Sequence, residues 1–154
     1  MAYLDVITLT QAKSYLRVDD GLTADDENIT RMIKSALAYV ENFTDILVYA
    51  RDIPVLLKDS SARVYKYPIN SEVTADLTKT YHPLYTTFCT DDIDLDYITL
   101  NLGYTLPADV PTQLLDAAYE VIDLLYYGKE TGRTMQDLSA FTIDSLNQNK
   151  RFLI

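Results

Sequence analysis

Two helical patterns separated by a long strand-like stretch constrain this chain more than any other feature. Residues 24–44 and 111–128 each carry apolar side chains at the spacing of an amphipathic helix. Residues 46–105, between them, are rich in Val, Ile, Thr and Tyr with polar breaks, which is typical of β-strands. A shorter helix is predicted over residues 8–18. The expected fold class is therefore α+β, a small helical bundle with a strand-rich insertion.

Local signals indicate where the helices begin and end. Thr8 followed by Gln11 fits a capping box, in which each side chain satisfies a backbone amide of the first turn. Pro111 suits the first turn of the last helix, and Gly128 is predicted to end that helix. On the helix at 24–44, Glu41 falls on the side opposite the apolar face.

The central region is predicted to contain five strands, limited by prolines to sheet edges, strand starts or breaks. The predicted strands lie near residues 47–58, 62–67, 72–78, 84–89 and 96–102. The limiting prolines are Pro54, Pro68 and Pro83. A length of 154 residues fits one domain. We therefore assign residues 1–132 to one domain, in which helical parts 1–45 and 106–132 flank a β insertion at 46–105.

The remaining residues, 133–154, have a different texture and are predicted to form an extended docking tail. Apolar residues are sparse there, although a short helix at 134–140 is an alternative. The candidate docking residues are Phe141, Phe152, Leu153 and Ile154. Large apolar side chains pack either on their own domain or on a neighbouring protein, and both options remain open. Removing everything after Gly132 is expected to leave a folded monomer that no longer assembles.

Few residues are available for catalysis, metal binding or cofactor binding. Cys89 and His82 are the only residues of their kinds, which leaves little material for a zinc site or a catalytic triad. An Asp-x-Asp-x-Asp run beginning at Asp92 resembles the start of an EF-hand loop. Its sixth and twelfth positions hold Tyr97 and Gly103 instead of Gly and Glu, so an acidic turn is the better interpretation. We expect no catalytic residue, no metal and no cofactor.

The charge of the chain disfavours nucleic-acid binding. The net charge is −10, and no Lys or Arg occurs between Lys79 and Lys129. Such a segment repels phosphates instead of neutralising them. On the helix at 111–128, Asp116, Glu120 and Asp123 have the spacing of one stripe. This stripe is interpreted either as a solvated helix face or as a surface that faces passing DNA.

Two blocks of sequence resemble the bacteriophage head–tail connector family, also called head-completion adaptors. The first, ITLTQAKSYLRVDDGLTADDENITRMIKSALAYVENFTD, spans residues 7–45. The family begins with a Thr-capped AK-x-x-L-R-V-D helix, an acidic loop and a long helix ending in A-x-x-Y-V/I-E-x-x-T. The matching residues are Ala12, Lys13, Leu16, Arg17, Val18, Asp19, Ala36, Tyr39, Val40, Glu41 and Thr44.

The second block, YITLNLGYTLPADVPTQLLDAAYEVIDLLYYGKETG, spans residues 97–132. It resembles the family in a strand that runs into Gly103-Tyr104, a D-V-P sequence at 109–111 and a closing helix that ends in L-Y-x-x-x-E. The two blocks occur in the family's order and cover about half of the chain.

The resemblance implies a structural, non-enzymatic subunit of the phage neck. Family members form a closed homo-oligomeric ring, typically twelve-fold, with the portal protein on one face and the next neck or tail-completion protein on the other. The ring forms part of the channel through which double-stranded DNA passes. The implied location is the virion neck, after synthesis in the host bacterial cytoplasm, without membrane contact. The charge alone also fits an alternative, an acidic phage-encoded interaction module that inhibits by mimicking DNA.

Overall fold

The protein has the predicted α+β class, in a computed structural model that describes residues 2–72, 76–82, 85–92 and 94–150. The α-helices are α1 Tyr3–Val6, α2 Leu9–Leu16, α3 Asp26–Thr44, α4 Thr112–Thr131 and α5 Ala140–Asn149. The strands are β1 Arg51–Leu56, β2 Ser61–Val64, β3 Ile69–Glu72, β4 Thr78–Tyr81, β5 Thr86–Cys89 and β6 Tyr97–Leu102. Helices α2, α3 and α4 confirm the three predicted helices, whereas α1 and α5 were not predicted.

The start of α2 and the end of α4 test the helix-boundary signals predicted from the sequence. The capping box before α2 is confirmed, because the Thr8 amide donates to Gln11 Oε1 at 2.8 Å and the Gln11 amide donates to Thr8 Oγ1 at 3.3 Å. The prediction that Gly128 ends α4 is wrong, since the helix continues to Thr131 and ends at Gly132, which has φ +71°. A Cβ at Gly128 would lie 2.8 Å from the carbonyl oxygen of Arg133. Glycine is therefore required at 128 because the returning chain passes close to the helix.

The helical part has one core, formed mainly where α3 packs on α4 and completed by residues of the C-terminal segment. Leu138 and Leu146 are 7% and 1% exposed and belong to this core. The structure differs here from the extended tail predicted at 133–154, because residues 140–149 form α5 and a 3-10 turn occupies Met135–Asp137. Burial of the two leucines explains the difference: Leu146 lies on the side of α5 that faces the bundle, and Leu138, between the 3-10 turn and α5, is buried in the same core.

The β part consists of two three-stranded antiparallel sheets around a second, smaller core. Their strand orders are β1-β6-β3 and β2-β5-β4. The buried residues of this core are Leu47, Ala62, Val64, Phe88, Ile98, Leu100 and Leu102. Pro54 lies in the edge strand β1, as predicted. Of the predicted strand at 72–78, residues 73–75 lie outside the described residues; Glu72 ends β3, Asp76 and Leu77 are not in a strand, and Thr78 begins β4.

A buried carboxylate joins the helical part to the first strand. Glu41 is only 4% exposed, although the helical spacing places it on the side of α3 opposite the apolar face. It accepts hydrogen bonds from Tyr3 Oη at 2.6 Å, from the Val48 amide at 2.9 Å and from both Nη atoms of Arg51 at 2.9 and 2.8 Å. The Arg51 guanidinium also lies over the ring of Tyr49. These bonds compensate the carboxylate for its lost hydration.

A buried lysine fixes the acidic loop that precedes α3. Lys13 is 2% exposed, and its Nζ donates to the carbonyl oxygens of Asp20 and Leu22 at 3.0 and 2.7 Å. It also pairs with Asp26 Oδ1 at 2.8 Å in the first turn of α3. Lys13 and Glu41, both in the family-like sequence blocks, therefore stabilise the fold.

Candidate functional site

The acidic stripe of α4 lies beside α2 and the C-terminal segment. Asp116 is exposed, whereas Glu120 and Asp123 are partly buried. All three carboxylates act on one tyrosine of α2, since burial and then the charges of Asp123, Glu120 and Asp116 raise the pKa of Tyr15. The three acids therefore share one side of the helix, as their spacing predicts.

Glu120 holds the start of α5 against α4. It accepts hydrogen bonds from the Ser139 amide at 2.7 Å, from Ser139 Oγ at 2.8 Å and from Thr142 Oγ1. Ser139 is the N-cap residue of α5, and its Oγ accepts from the Thr142 amide. Burial raises the pKa of Glu120, but the hydrogen bonds together outweigh burial and its pKa lies below the ordinary value. The carboxylate is therefore bound most favourably when it is ionised.

Asp123 also binds the segment that follows α4. Its Oδ2 lies 2.9 Å from Nη1 of Arg133, which is partly exposed. Two of the three predicted channel-facing acids thus hold the C-terminal segment, a role that sequence reasoning missed because the partners are 10 to 22 residues away. The prediction that the stripe faces DNA stays a prediction, and Asp116 is the member whose side chain the fold leaves exposed.

Substituting Glu120 by glutamine is expected to reduce the acid sensitivity of the protein. Because the pKa of Glu120 is lowered by folding, its ionised form stabilises the fold above the ordinary glutamate value of 4.5. This contribution is lost as the pH falls below that value towards the pKa in the folded protein. The free energy of unfolding, measured by urea titration between pH 3 and 7, should fall less steeply with acid in Glu120→Gln. Asp116→Asn, on the same helix, is the control and should follow the parent curve.

The C-terminal segment has one face towards the bundle and one towards solvent. Thr142, Ser145 and Leu146 are buried on the inner side of α5, whereas Phe141 is 65% exposed on the outer side. The other predicted docking residues, Phe152, Leu153 and Ile154, lie outside the described residues. The described part of the segment, residues 133–150, therefore packs on its own domain, and Phe141 is exposed on its outer side.

The described part of the chain contains little that resembles a reaction centre. Within it, no group of three or more His, Cys, Asp or Glu side chains is arranged to hold a metal ion. His82 stacks on Tyr85 with ring centroids 4.3 Å apart, and Cys89 is a partly buried free thiol. Among the residues that the structure describes, no helix has the length and apolar character needed to cross a bilayer.

Comparison with known proteins gives a structural likeness only. No family model matches the chain, and no curated protein matches it. Its fold matches a chain in the neck of an empty gene transfer agent (GTA) particle, computed with C6 symmetry. The TM-score is 0.74 with 11% identity, over 100% of this chain and 94% of that chain.

A second match is a chain in the virion of a native GTA particle. Its TM-score is 0.72 with 12% identity, over 97% of this chain and 91% of the other. The likeness spans the helical part, the β part and α5 together, so the C-terminal segment belongs to the shared fold. A chain of these phage-like particles thus has the fold that the connector resemblance implied.

Proposed function

We propose that this protein is a structural head–tail connector (adaptor) of a phage-type neck. It forms a ring under the portal, joins the capsid to the tail and contributes part of the DNA channel. The observation that carries this proposal is the whole-chain likeness to a chain of a GTA neck. The two family-like sequence blocks support it independently, because sequence pattern and fold point to the same class.

The proposed partners follow from the connector resemblance. The subunit binds further copies of itself in a closed ring, for which twelve copies would match the portal. A head-to-tail contact closes into a ring only when its rotation divides the full circle evenly. One face of the ring would bind the portal protein, and the other would receive the next neck or tail-completion protein. The protein would be made in the host bacterial cytoplasm and reside in the virion.

The charge distribution supports a channel that does not bind the DNA passing through it. With a net charge of −10 and no Lys or Arg between Lys79 and Lys129, the protein has little means to neutralise phosphates along that span. We propose that the side of α4 that carries Asp116, Glu120 and Asp123 approaches the lumen, with Asp116 as its exposed member. Acidic walls leave the DNA hydrated and mobile during its passage.

The tail is proposed to contribute a docking contact to the assembly. Phe141 is exposed on α5 and available to a neighbouring protein, and Phe152, Leu153 and Ile154 supply further apolar side chains. A large exposed apolar side chain such as Phe141 is typical of protein–protein contacts.

Electron microscopy and native mass spectrometry of the protein with and without its portal would test the proposed function. A ring on the portal with defined stoichiometry is the expected result. A monomer in the absence of the portal is compatible with the proposal, because the portal can template the ring. If the protein does not bind the portal but binds a DNA-binding protein, the result would instead support the alternative function of an acidic interaction module.

Reversing the charge of Asp116 is expected to slow DNA release from assembled particles. Asp116→Lys would place a ring of cations at the lumen, where each gains a phosphate contact. The rate of DNA ejection in vitro should fall several-fold at low salt and recover at high salt, because salt screens the contacts. Asp144→Lys, an exposed acid on α5, is the matched control. Equal effects of the two substitutions would contradict a lumen-facing Asp116.

A further inference from the structure

An open groove with an apolar lining lies between β1 and β2. Its volume is 410 Å³, and β1, β2 and β6 supply its apolar side chains, namely Ile53, Val55, Leu56, Val64 and Leu102. Leu56 is 81% exposed, so part of this apolar surface faces solvent. Pro54, which also lines the groove, removes a backbone N–H donor from β1. The groove therefore suits an inserted apolar side chain better than an added strand.

Two basic side chains lie beside this apolar lining. Arg63 is exposed and Lys66 is partly buried, and both line the groove together with Asp45. Arg63 lies over the ring of Tyr85, 5.2 Å from its centroid. Among the residues that the structure describes, neither Arg63 nor Lys66 forms an ion pair. The groove thus combines an apolar lining with two cations that can pair with carboxylates from outside.

The acidic loop before α3 has the complementary character. Residues 19–27 contain five acids and no Lys or Arg, and Leu22 among them is 61% exposed. The backbone of this loop is fixed, because Lys13 Nζ holds the carbonyl oxygens of Asp20 and Leu22 and the Leu22 amide donates to the Asp19 carbonyl at 3.0 Å. A fixed loop loses little conformational entropy when it binds. Leu22 is therefore a preorganised apolar anchor with carboxylates on both sides.

The groove and the loop lie at opposite ends of α3, so they cannot meet within one chain. Asp45, at the groove, is the C-cap residue of α3, whereas the loop runs into the N-terminus of this helix. The 19 residues of α3 span about 28 Å at the rise of an α-helix. Lys13 ties the loop to α2 and to Asp26 in the first turn of α3, which prevents the loop from crossing that distance. Leu22 can therefore reach this groove only in a second copy.

We propose that Leu22 of one subunit inserts into the groove between β1 and β2 of the next subunit. Asp19 and Asp20, both exposed, then lie beside Arg63 and Lys66 of that subunit. An apolar anchor with charged groups around it has the usual arrangement of an interface core and rim. The two surfaces differ, so the contact is head-to-tail and can close into a ring. This inference rests on the proposed function and deepens it by naming the contact between ring subunits.

Disulfide trapping on the assembled portal complex tests the contact. In a Cys89→Ser background, Leu22→Cys and Leu56→Cys are combined, the protein is assembled with its portal and the complex is mildly oxidised. A ladder of covalent oligomers on a non-reducing gel is the expected product, because each subunit is linked to the next. A ring that forms on the portal but gives no ladder would overturn this contact and leave the proposed function intact. A parent protein that forms no ring on the portal would overturn both.

The matched control replaces the loop thiol by one on another exposed apolar position. Phe141 on α5 is 65% exposed, so Phe141→Cys combined with Leu56→Cys is equally able to react. Little or no ladder is expected from this pair. If it gave the ladder and the Leu22 pair did not, α5 of the neighbour would occupy the groove and the proposal would be wrong.

Charge reversal provides a second readout. Asp20→Lys or Arg63→Glu alone should reduce the number of subunits bound per portal several-fold, because each places like charges together in the contact. The two changes combined should restore assembly. Lys34→Glu changes an exposed cation of α3 that does not line the groove, and it should not rescue Asp20→Lys. Normal assembly of both single variants, or equal rescue by Lys34→Glu, would overturn the proposal.

Discussion

Replacing Glu41 by alanine is expected to lower the free energy of unfolding by about 3 kcal/mol, because it leaves a charged partner unpaired inside the protein. The substitution removes the acceptor for Tyr3, for the Val48 amide and for both arms of Arg51. Breaking a buried ion pair costs about 3–5 kcal/mol, and the lower end applies because the Arg51 side chain is 27% exposed. Urea unfolding followed by circular dichroism measures the change.

Two companion substitutions identify the cause of this loss. Asn42→Ala changes the exposed neighbour of Glu41 on α3 and should alter the free energy of unfolding by no more than about 0.5 kcal/mol. Glu41→Gln retains one acceptor oxygen, so its free energy of unfolding should lie between those of Glu41→Ala and Asn42→Ala. A Glu41→Ala protein as stable as Asn42→Ala would contradict the proposed role of this carboxylate in joining α3 to β1.

Truncation after Gly132 is expected to destabilise the protein severely, contrary to the sequence-based expectation of a folded monomer. It removes Leu138 and Leu146 from the bundle core, and burying one leucine contributes roughly 1.5–3 kcal/mol. It also removes the partners of Glu120 and Asp123. Thermal unfolding should show a large decrease in Tm, and Leu146→Ala alone should cost about 2–5 kcal/mol.

Truncation after Lys150 is the control that separates docking from folding. This shorter deletion retains α5 and both buried leucines, so the chain should keep most of its stability. If Phe152, Leu153 and Ile154 contribute to docking, the chain should fold but bind the portal less well. A Gly132 truncation that unfolds at the parent temperature would show that α5 does not belong to the core.

The features predicted correctly from sequence depend on neighbours close along the chain. Helix periodicity, the Thr8–Gln11 capping box and the edge position of Pro54 each follow from residues within a few positions. The acidic stripe of α4 was predicted for the same reason, because a helix fixes the relation of Asp116 to Glu120 and Asp123. The family-like blocks fall on α2, α3, β6 and α4, which are the elements with the clearest local patterns.

The features predicted wrongly depend on contacts between distant segments. Glu41 lies opposite the apolar face of α3, yet it is buried in the folded protein. There it accepts hydrogen bonds from Tyr3 of α1 and Arg51 of β1. Gly128 looks like a helix end, yet it lies inside α4 because the returning chain passes close to it. The tail was predicted to be extended because its apolar residues are few. Two of them, Leu138 and Leu146, are nevertheless enough to pack residues 138–149 on the bundle core.

The sequence by itself therefore determined the α+β class, the three main helices and an acidic surface poor in Lys and Arg, because periodicity and charge are local properties. Only the tertiary structure decided which of those acids remain available. Glu120 and Asp123 became the binding partners of α5 and Arg133, while Asp116 stayed exposed. The physical reason is that a carboxylate binds whichever donors the fold brings within hydrogen-bonding distance, and those donors lie 10 to 22 residues away along the chain, in a segment that packs on α4.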